Sequence, residues 1–210
     1  MRYTKFMFDA HAHLGSSDIN SIICSSNITE YNAIIKCKGS IGLLPQYLVD
    51  KEVFFHVLKE NELNIGEVGL DKRYDNMDEQ IEFLTECLKL NQERGSLLTL
   101  HCVKADGILL KLLREYPQKR FIYHGFTGSY ETAKEITKLG GIISLGLTST
   151  KCKDFEKLLT LPFLLESDRA KGIEQEKVLS YVYNTVRERL NLSLKELEME
   201  IERQRSICKA

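Results

Sequence analysis

The chain has 210 residues, with 29 Lys and Arg against 30 Asp and Glu, for a formal net charge of −1. Such a balance gives no bulk attraction to nucleic acid or to an anionic membrane, although a local basic cleft is compatible with it. With 43% apolar and 28% charged residues and only 3 Pro, the composition excludes a disordered or linker-rich chain.

In chain order, short apolar runs at Phe6–Asp9, Ser21–Ser25, Ser40–Leu44, Ile65–Gly69, Leu97–His101, Phe121–His124, Ile142–Leu145 and Phe163–Glu166 predict eight strands. They are continuous rather than alternating, as strands covered on both faces should be. Between them, Asp78–Arg94 carries Ile81, Leu84, Cys87 and Leu88 at helical spacing and stops at Gly95. Ala105–Tyr116 reads as a helix ended by Pro117, and Ser129–Leu139 as one ended by Gly140 and Gly141. From Glu174 to Lys209 the chain is nearly all helix-forming, with a break near Asn191 and a capping-box pattern at Ser193–Glu196. This tail is expected to pack on the rest of the chain.

Eight strand runs alternating with helices predict an α/β fold with parallel strands, and eight is the number that closes a (β/α)8 barrel. The expectation is a single domain over residues 1–210, a compact barrel with a C-terminal helical tail; an open doubly wound sheet is the alternative. No Gly-rich nucleotide loop follows a strand. The six cysteines, at 24, 37, 87, 102, 152 and 208, form no CxxC pair and read as free thiols. No apolar run reaches the ~18 residues of a membrane span, and the N-terminus lacks a signal-peptide core. The protein is expected to be soluble and cytoplasmic.

Polar residues gather at the ends of the predicted strands. His11 and His13 follow the first, Glu67 lies on the fourth, His101 ends the fifth, His124 ends the sixth and Asp168 follows the eighth. A parallel barrel builds its site at that face, so these dispersed residues should converge. His11 and His13, two apart in extended chain, would point the same way and suit a metal, although a hydrogen-bonded pair without metal fits the same motif. Asp9 on that side could hold an imidazole N–H. Glu67, a carboxylate in an apolar run, needs a cation or an ion pair; it could bridge two metals or pair with Lys72 or Arg73. Asp71 reads as a loop residue, a helix cap or a support to the site. Cys102 and His56 read as packing or surface residues, and the Gly-containing turn after His124 as a tight turn, although the N–H groups of the helix it opens could take an anionic oxygen. Asp168 is the best candidate for general base, with Glu166 one alternation away. Nitrogen and oxygen donors without thiolate suit zinc, manganese, iron or magnesium. Two ions sharing Glu67 would suit phosphoester hydrolysis, and amide or lactone hydrolysis as well.

The motifs DAHAHL at 9–14, GEVGLD at 66–71, LLTLH at 97–101, YHGFTGS at 123–129 and LLESD at 164–168 resemble, in this order, the TatD-type metal-dependent hydrolases of the amidohydrolase superfamily. The resemblance spans most of the chain. It implies a (β/α)8 barrel with two divalent cations (Mg, Mn or Zn), one held by His11, His13, Glu67 and Asp168, the other by Glu67, His101 and His124. Glu67 and Asp168 would be the catalytic carboxylates. It also implies a deoxyribonuclease, exonuclease-like, with DNA or a small phosphoester as substrate and no membrane partner; a monomer is compatible with it. Hydrolysis of a lactone or cyclic amide, and a non-catalytic metal-binding barrel, are the other readings. Leu44 stands where the family often has His, Arg169–Ala170 where Ala-Pro is common, and Gln204 near a usual Asn. Lys72, Arg73, Lys104, Arg169 and Lys171 are the basic residues expected at the mouth.

Overall fold

Every predicted run supplies a strand. The computed structural model describes residues 7–15, 19–169 and 172–208. In it the strands are β1 (Phe8–Ala12), β2 (Asn20–Ile23), β3 (Ser40–Ile41), β4 (Asn64–Asp71), β5 (Leu98–Val103), β6 (Phe121–Tyr123), β7 (Gly141–Leu145) and β8 (Phe163–Leu165). Neighbours pair in parallel throughout. β3 to β8 form one sheet in sequential order, and β1 pairs with β2 separately.

Two seams close these pieces into a barrel. Between β2 and β3 there is a single bridge, Cys24 to Ser40, with the Ser25 N–H donating to the Ser40 carbonyl at 3.1 Å. Between β8 and β1 the Asp168 N–H donates to the His11 carbonyl at 3.1 Å, and the His13 N–H to the Arg169 carbonyl at 2.9 Å. The closed barrel, not the open sheet, is therefore the fold.

The helices coat the outside. They are α1 (Tyr31–Cys37), α2 (Lys51–Glu60), α3 (Met77–Arg94), α4 (Asp106–Glu115), α5 (Tyr130–Lys138), α6 (Phe155–Leu158), α7 (Ile173–Arg189) and α8 (Leu194–Gln204). α3 buries Phe83, Leu84, Cys87 and Leu88 and ends at Gly95, whose φ of 65° is the left-handed cap expected there. Phe54 and Phe55 of α2, 5.0 Å apart, meet Phe83 with ring centroids at 5.1 and 5.5 Å. Each such pair adds roughly 0.5–1.5 kcal/mol beyond its buried area. The Ser193–Glu196 capping box opens α8.

The tail packs as expected. α7 buries Leu179, Val182, Tyr183 and Val186. The Tyr183 hydroxyl donates to the Phe8 carbonyl at 2.9 Å and accepts its N–H at 3.0 Å, satisfying the start of β1. Gln204, at the end of α8, accepts the Phe163 N–H and so completes the start of β8.

Some boundaries differ from those predicted. β1 runs through His11 rather than stopping at Asp9, because the interior of the barrel accepts buried polar side chains; Phe6 lies outside the described residues. β3 stops at Ile41 because the chain turns toward the short 3-10 helix at Pro45–Asp50. α1 and α6 had no clear sequence pattern. No disulfide joins the cysteines; Cys24 and Cys87 are buried. No helix among the described residues is long and apolar enough to cross a membrane.

Candidate metal centre

The strand ends bring His11, His13, Glu67, His101, His124 and Asp168 to one cluster. Their packing begins in backbone. At Gly69 an added Cβ would meet the His101 carbonyl oxygen at 1.8 Å, and at Gly42 it would meet the Glu67 nitrogen at 2.0 Å. Only glycine lets β4 approach its neighbours this closely, and that approach sets Glu67 against the histidines.

Glu67, 2% exposed, sits at the middle of the cluster. Its two oxygens face different residues. Oε1 lies 2.6 Å from His101 Nδ1 and 2.7 Å from His124 Nε2. Oε2 lies 3.3 Å from His11 Nε2 and 3.9 Å from His13 Nε2. Asp168 Oδ1 completes that second side, 3.7 Å from His11 Nε2 and 3.4 Å from His13 Nε2. The His11 and His124 rings stack at 4.0 Å between the two sides. Glu67 does not pair with a rim cation; the guanidinium of Arg73 is taken by Asp71.

Behind the cluster stand two more carboxylates. Asp71, at the end of β4, has Oδ2 3.3 Å from His101 Nε2 and accepts Arg73 Nε–H at 2.9 Å. Of the readings open for Asp71, support to the site is the one the geometry matches. Glu166, fully buried, accepts the Gly125 N–H at 2.8 Å and lies 3.5 Å from His124 Nδ1. That bond ties down the turn after His124, and Ser129 caps α5 by accepting the Thr132 N–H, so the segment is a tight turn as read.

Asp9 departs from its expected role. Its carboxylate accepts N–H and O–H groups of His11, Ser167 and Gln175, not an imidazole N–H. Ser167 and Gln175 escaped the sequence reading, because nothing local marks a residue that serves a partner so far along the chain. His56 is exposed on α2, and Cys102 is half-buried beside the cluster. Lys72, Arg73, Lys104 and Arg169 are exposed at the mouth; Lys171 lies outside the described residues. Leu44 donates its N–H to the Ser26 carbonyl at 3.0 Å, and the Ser26 hydroxyl lies 3.4 Å from His13 Nδ1.

The electrostatics follow from this crowding. Burial pushes the Glu67 carboxyl up, but the imidazoles of His124 and His11 outweigh it and hold it well below the usual range. Burial and the neighbouring His124 push His11 down. Burial opposes charge on His124, yet Glu67 and Glu166 hold it well above the usual value. His13 is likewise raised against its burial by Asp168 and Glu67. Asp168 is lowered by His13, His11 and His124 against its own burial. Asp9, buried among neutral donors, is pushed up to about 6. Asp71 is held at about 2 by Arg73 despite its burial.

These residues fit divalent cations. Both ring nitrogens of His11 are buried and neither makes a hydrogen bond among the described residues, although Nε2 faces Glu67 Oε2 at 3.3 Å, an uncommon state for a native interior. His11, Glu67 and His124 present ligand atoms all within 4.8 Å of one another, and so do His11, His13 and Asp168. The donors are imidazole nitrogen and carboxylate oxygen, suited to zinc, manganese, iron or magnesium.

The family model of TatD related DNase matches residues 35–204. The chain belongs to that family. Among curated relatives, a TATDN1 homolog of Vairimorpha ceranae is 31% identical over 134 residues, 60% of this chain and 50% of that protein. An uncharacterized metal-dependent hydrolase of Methanocaldococcus jannaschii is 27% identical over 111 residues, 51% of this chain and 44% of that one. The chain thus matches about half the length of these relatives. Among solved structures, the TatD homolog YJJV of Escherichia coli K12 superposes with a TM-score of 0.82 at 20% identity over 98% of both chains. A TatD family hydrolase of Entamoeba histolytica gives 0.78 at 15% identity, covering 96% of this chain and 97% of that one. At these identities the likeness carries the TatD barrel alone.

Proposed function

We propose that this TatD-family chain is a divalent-metal-dependent phosphodiesterase, acting as a deoxyribonuclease. The observation that carries the reading is the division of Glu67, whose two buried oxygens each face their own pair of imidazoles. One cation would be held by His11, His13, Glu67 and Asp168, and the other by Glu67, His101 and His124. Bound there, divalent cations lower the pKa of water and neutralise charge developing on a phosphoryl oxygen.

The chain's own residues supply the rest. Glu67 is sealed from solvent and acts by holding its four imidazole neighbours in place. Asp168 is the one carboxylate of the cluster that reaches solvent, with 48% of its side chain exposed. It orients the attacking water and accepts its proton. Arg169, exposed beside it, binds a substrate phosphate; its guanidinium now donates to the Asp168 carbonyl at 2.8 Å. The family's name and the relatives named as metal-dependent hydrolases support the choice of chemistry.

The test is end-labelled single-stranded DNA with magnesium or manganese, comparing wild type with Asp168→Asn. Cleavage is expected to need the metal and to be lost in the variant. Metal-bound wild type that leaves DNA intact overturns the nuclease reading and directs the search to small phosphoesters, lactones and cyclic amides.

A further inference from the structure

Between β8 and β1, where the barrel lacks a regular ladder, one carboxylate adds to the two backbone bonds of the seam. Asp9 Oδ1 accepts the Ser167 N–H at 2.9 Å and the His11 N–H at 3.3 Å. Its Oδ2 accepts the Ser167 hydroxyl at 2.6 Å and the Gln175 amide at 2.9 Å. Four donors fill an ionised carboxylate, which offers about four acceptor sites. They come from β1, from the loop after β8 and from the first turn of α7, and the group is fully buried.

The next residue after Ser167 is Asp168, whose φ of 51° places a non-glycine residue in the left-handed region. A backbone held there persists only where its surroundings over-determine it. On its N-terminal side Asp168 is fixed by its own N–H to the His11 carbonyl and by Ser167, gripped at both N–H and hydroxyl, and on its C-terminal side by the Arg169 carbonyl, which accepts the His13 N–H. We infer that Asp9 is the positioning residue of Asp168: through Ser167 it holds the loop in the conformation that turns the Asp168 carboxylate toward His11 and His13. Asp9 touches none of the reacting groups. The inference rests on the proposed function, which makes Asp168 a ligand and base.

The chemistry of the clasp dictates the test. In Asp9→Asn an amide N–H replaces one acceptor and confronts the Gln175 N–H, donor against donor. Adding Gln175→Glu restores an acceptor opposite the new amide and returns the lost charge. Manganese binding to the chelator-stripped protein is measured by isothermal titration, alongside thermal midpoints in chelator. Asp9→Asn is expected to weaken manganese binding about 10- to 100-fold, the scale on which outer partners of a metal ligand act. The double variant recovers most of that loss. Ser167→Ala, which keeps the Asp9 carboxylate and its other donors, weakens binding by less and serves where Asp9→Asn does not fold. Wild-type affinity in Asp9→Asn or Ser167→Ala, however far the midpoint falls, reduces Asp9 to a stitch in the barrel wall and overturns the inference. Wild type that binds no manganese overturns the proposed function, and this inference with it.

Discussion

The two sides of Glu67 are built differently. On the Oε1 side, His101 and His124 are 15% and 6% exposed, and each has a carboxylate near its far nitrogen, Asp71 at 3.3 Å and Glu166 at 3.5 Å. On the Oε2 side, His13 is 25% and Asp168 48% exposed. Among the described residues His13 Nδ1 there meets only the Ser26 hydroxyl, and His11 Nδ1, like His124 Nδ1 on the other side, has no hydrogen-bond partner. On the closed side Asp71 hydrogen-bonds His101, which sets its tautomer and ring orientation, whereas Glu166 faces His124 Nδ1 at 3.5 Å without a hydrogen bond. The open side is the one that solvent reaches, and its carboxylate is held by bonds across the β8–β1 seam, two of them backbone–backbone and two through Ser167 to Asp9.

Four experiments bear on this contrast. The residue common to both sides gives the largest effect: Glu67→Gln is expected to abolish calorimetrically detectable metal binding and to lower cleavage by about 10²–10³ or more, the scale of one electrostatic group in a water-excluded site. Retention of either metal equivalent would show that the two sides do not share Glu67. Next, Asp71→Asn should weaken metal binding about 10- to 100-fold, while Ser26→Ala should change it far less. Equal losses in the two variants would erase the distinction between carboxylate-backed and hydroxyl-backed imidazoles.

A pH series in chelator probes the seam. Asp9 titrates at about 6 in the folded protein against a reference of 3.8. Its contribution to stability is therefore fully present below about pH 4, declines as pH rises to about 6 and is constant above, because the folded state keeps a proton that the unfolded chain has released. Two pKa units correspond to about 3 kcal/mol. Urea unfolding should show Asp9→Asn gaining up to that amount relative to wild type between pH 4 and 6; a flat difference would mean that Asp9 does not titrate there. The smallest effect is at the rim, where Arg169→Ala should weaken DNA binding uniformly and reduce the salt slope by about one. An unchanged slope would remove Arg169 from the phosphate path.

All eight strands and the six clustered residues were legible because each is a local pattern: a covered apolar run ending in a polar residue. Boundaries failed where the interior itself is polar, as at β1, since an apolar-run reading stops where His11 begins. Asp9 was seen but misassigned, because period-two geometry tells which way a side chain leans and not which donors wait there. Its partners Ser167 and Gln175 lie 158 and 166 residues away and are ordinary residues in ordinary local sequence. For Asp71 the sequence leaves loop residue, helix cap and support to the site open for a related reason: it is the packing of β4 against β5 that brings His101 to its carboxylate.

That separation along the chain has a kinetic meaning. The β8–β1 seam joins the two most distant strands, so it closes a loop spanning most of the protein, and the entropy of that closure is met before its contacts form. No N-terminal fragment that stops before the loop after β8 carries both halves of the cluster on the open side: His11 and His13 arrive with β1, Asp168 only with that loop, and Gln175 later still. During synthesis the early histidines wait without their carboxylate until nearly the whole barrel has emerged. On the proposed function, competence for metal on that side is a late event, and metal capture by a refolding chain would time the moment at which the barrel shuts.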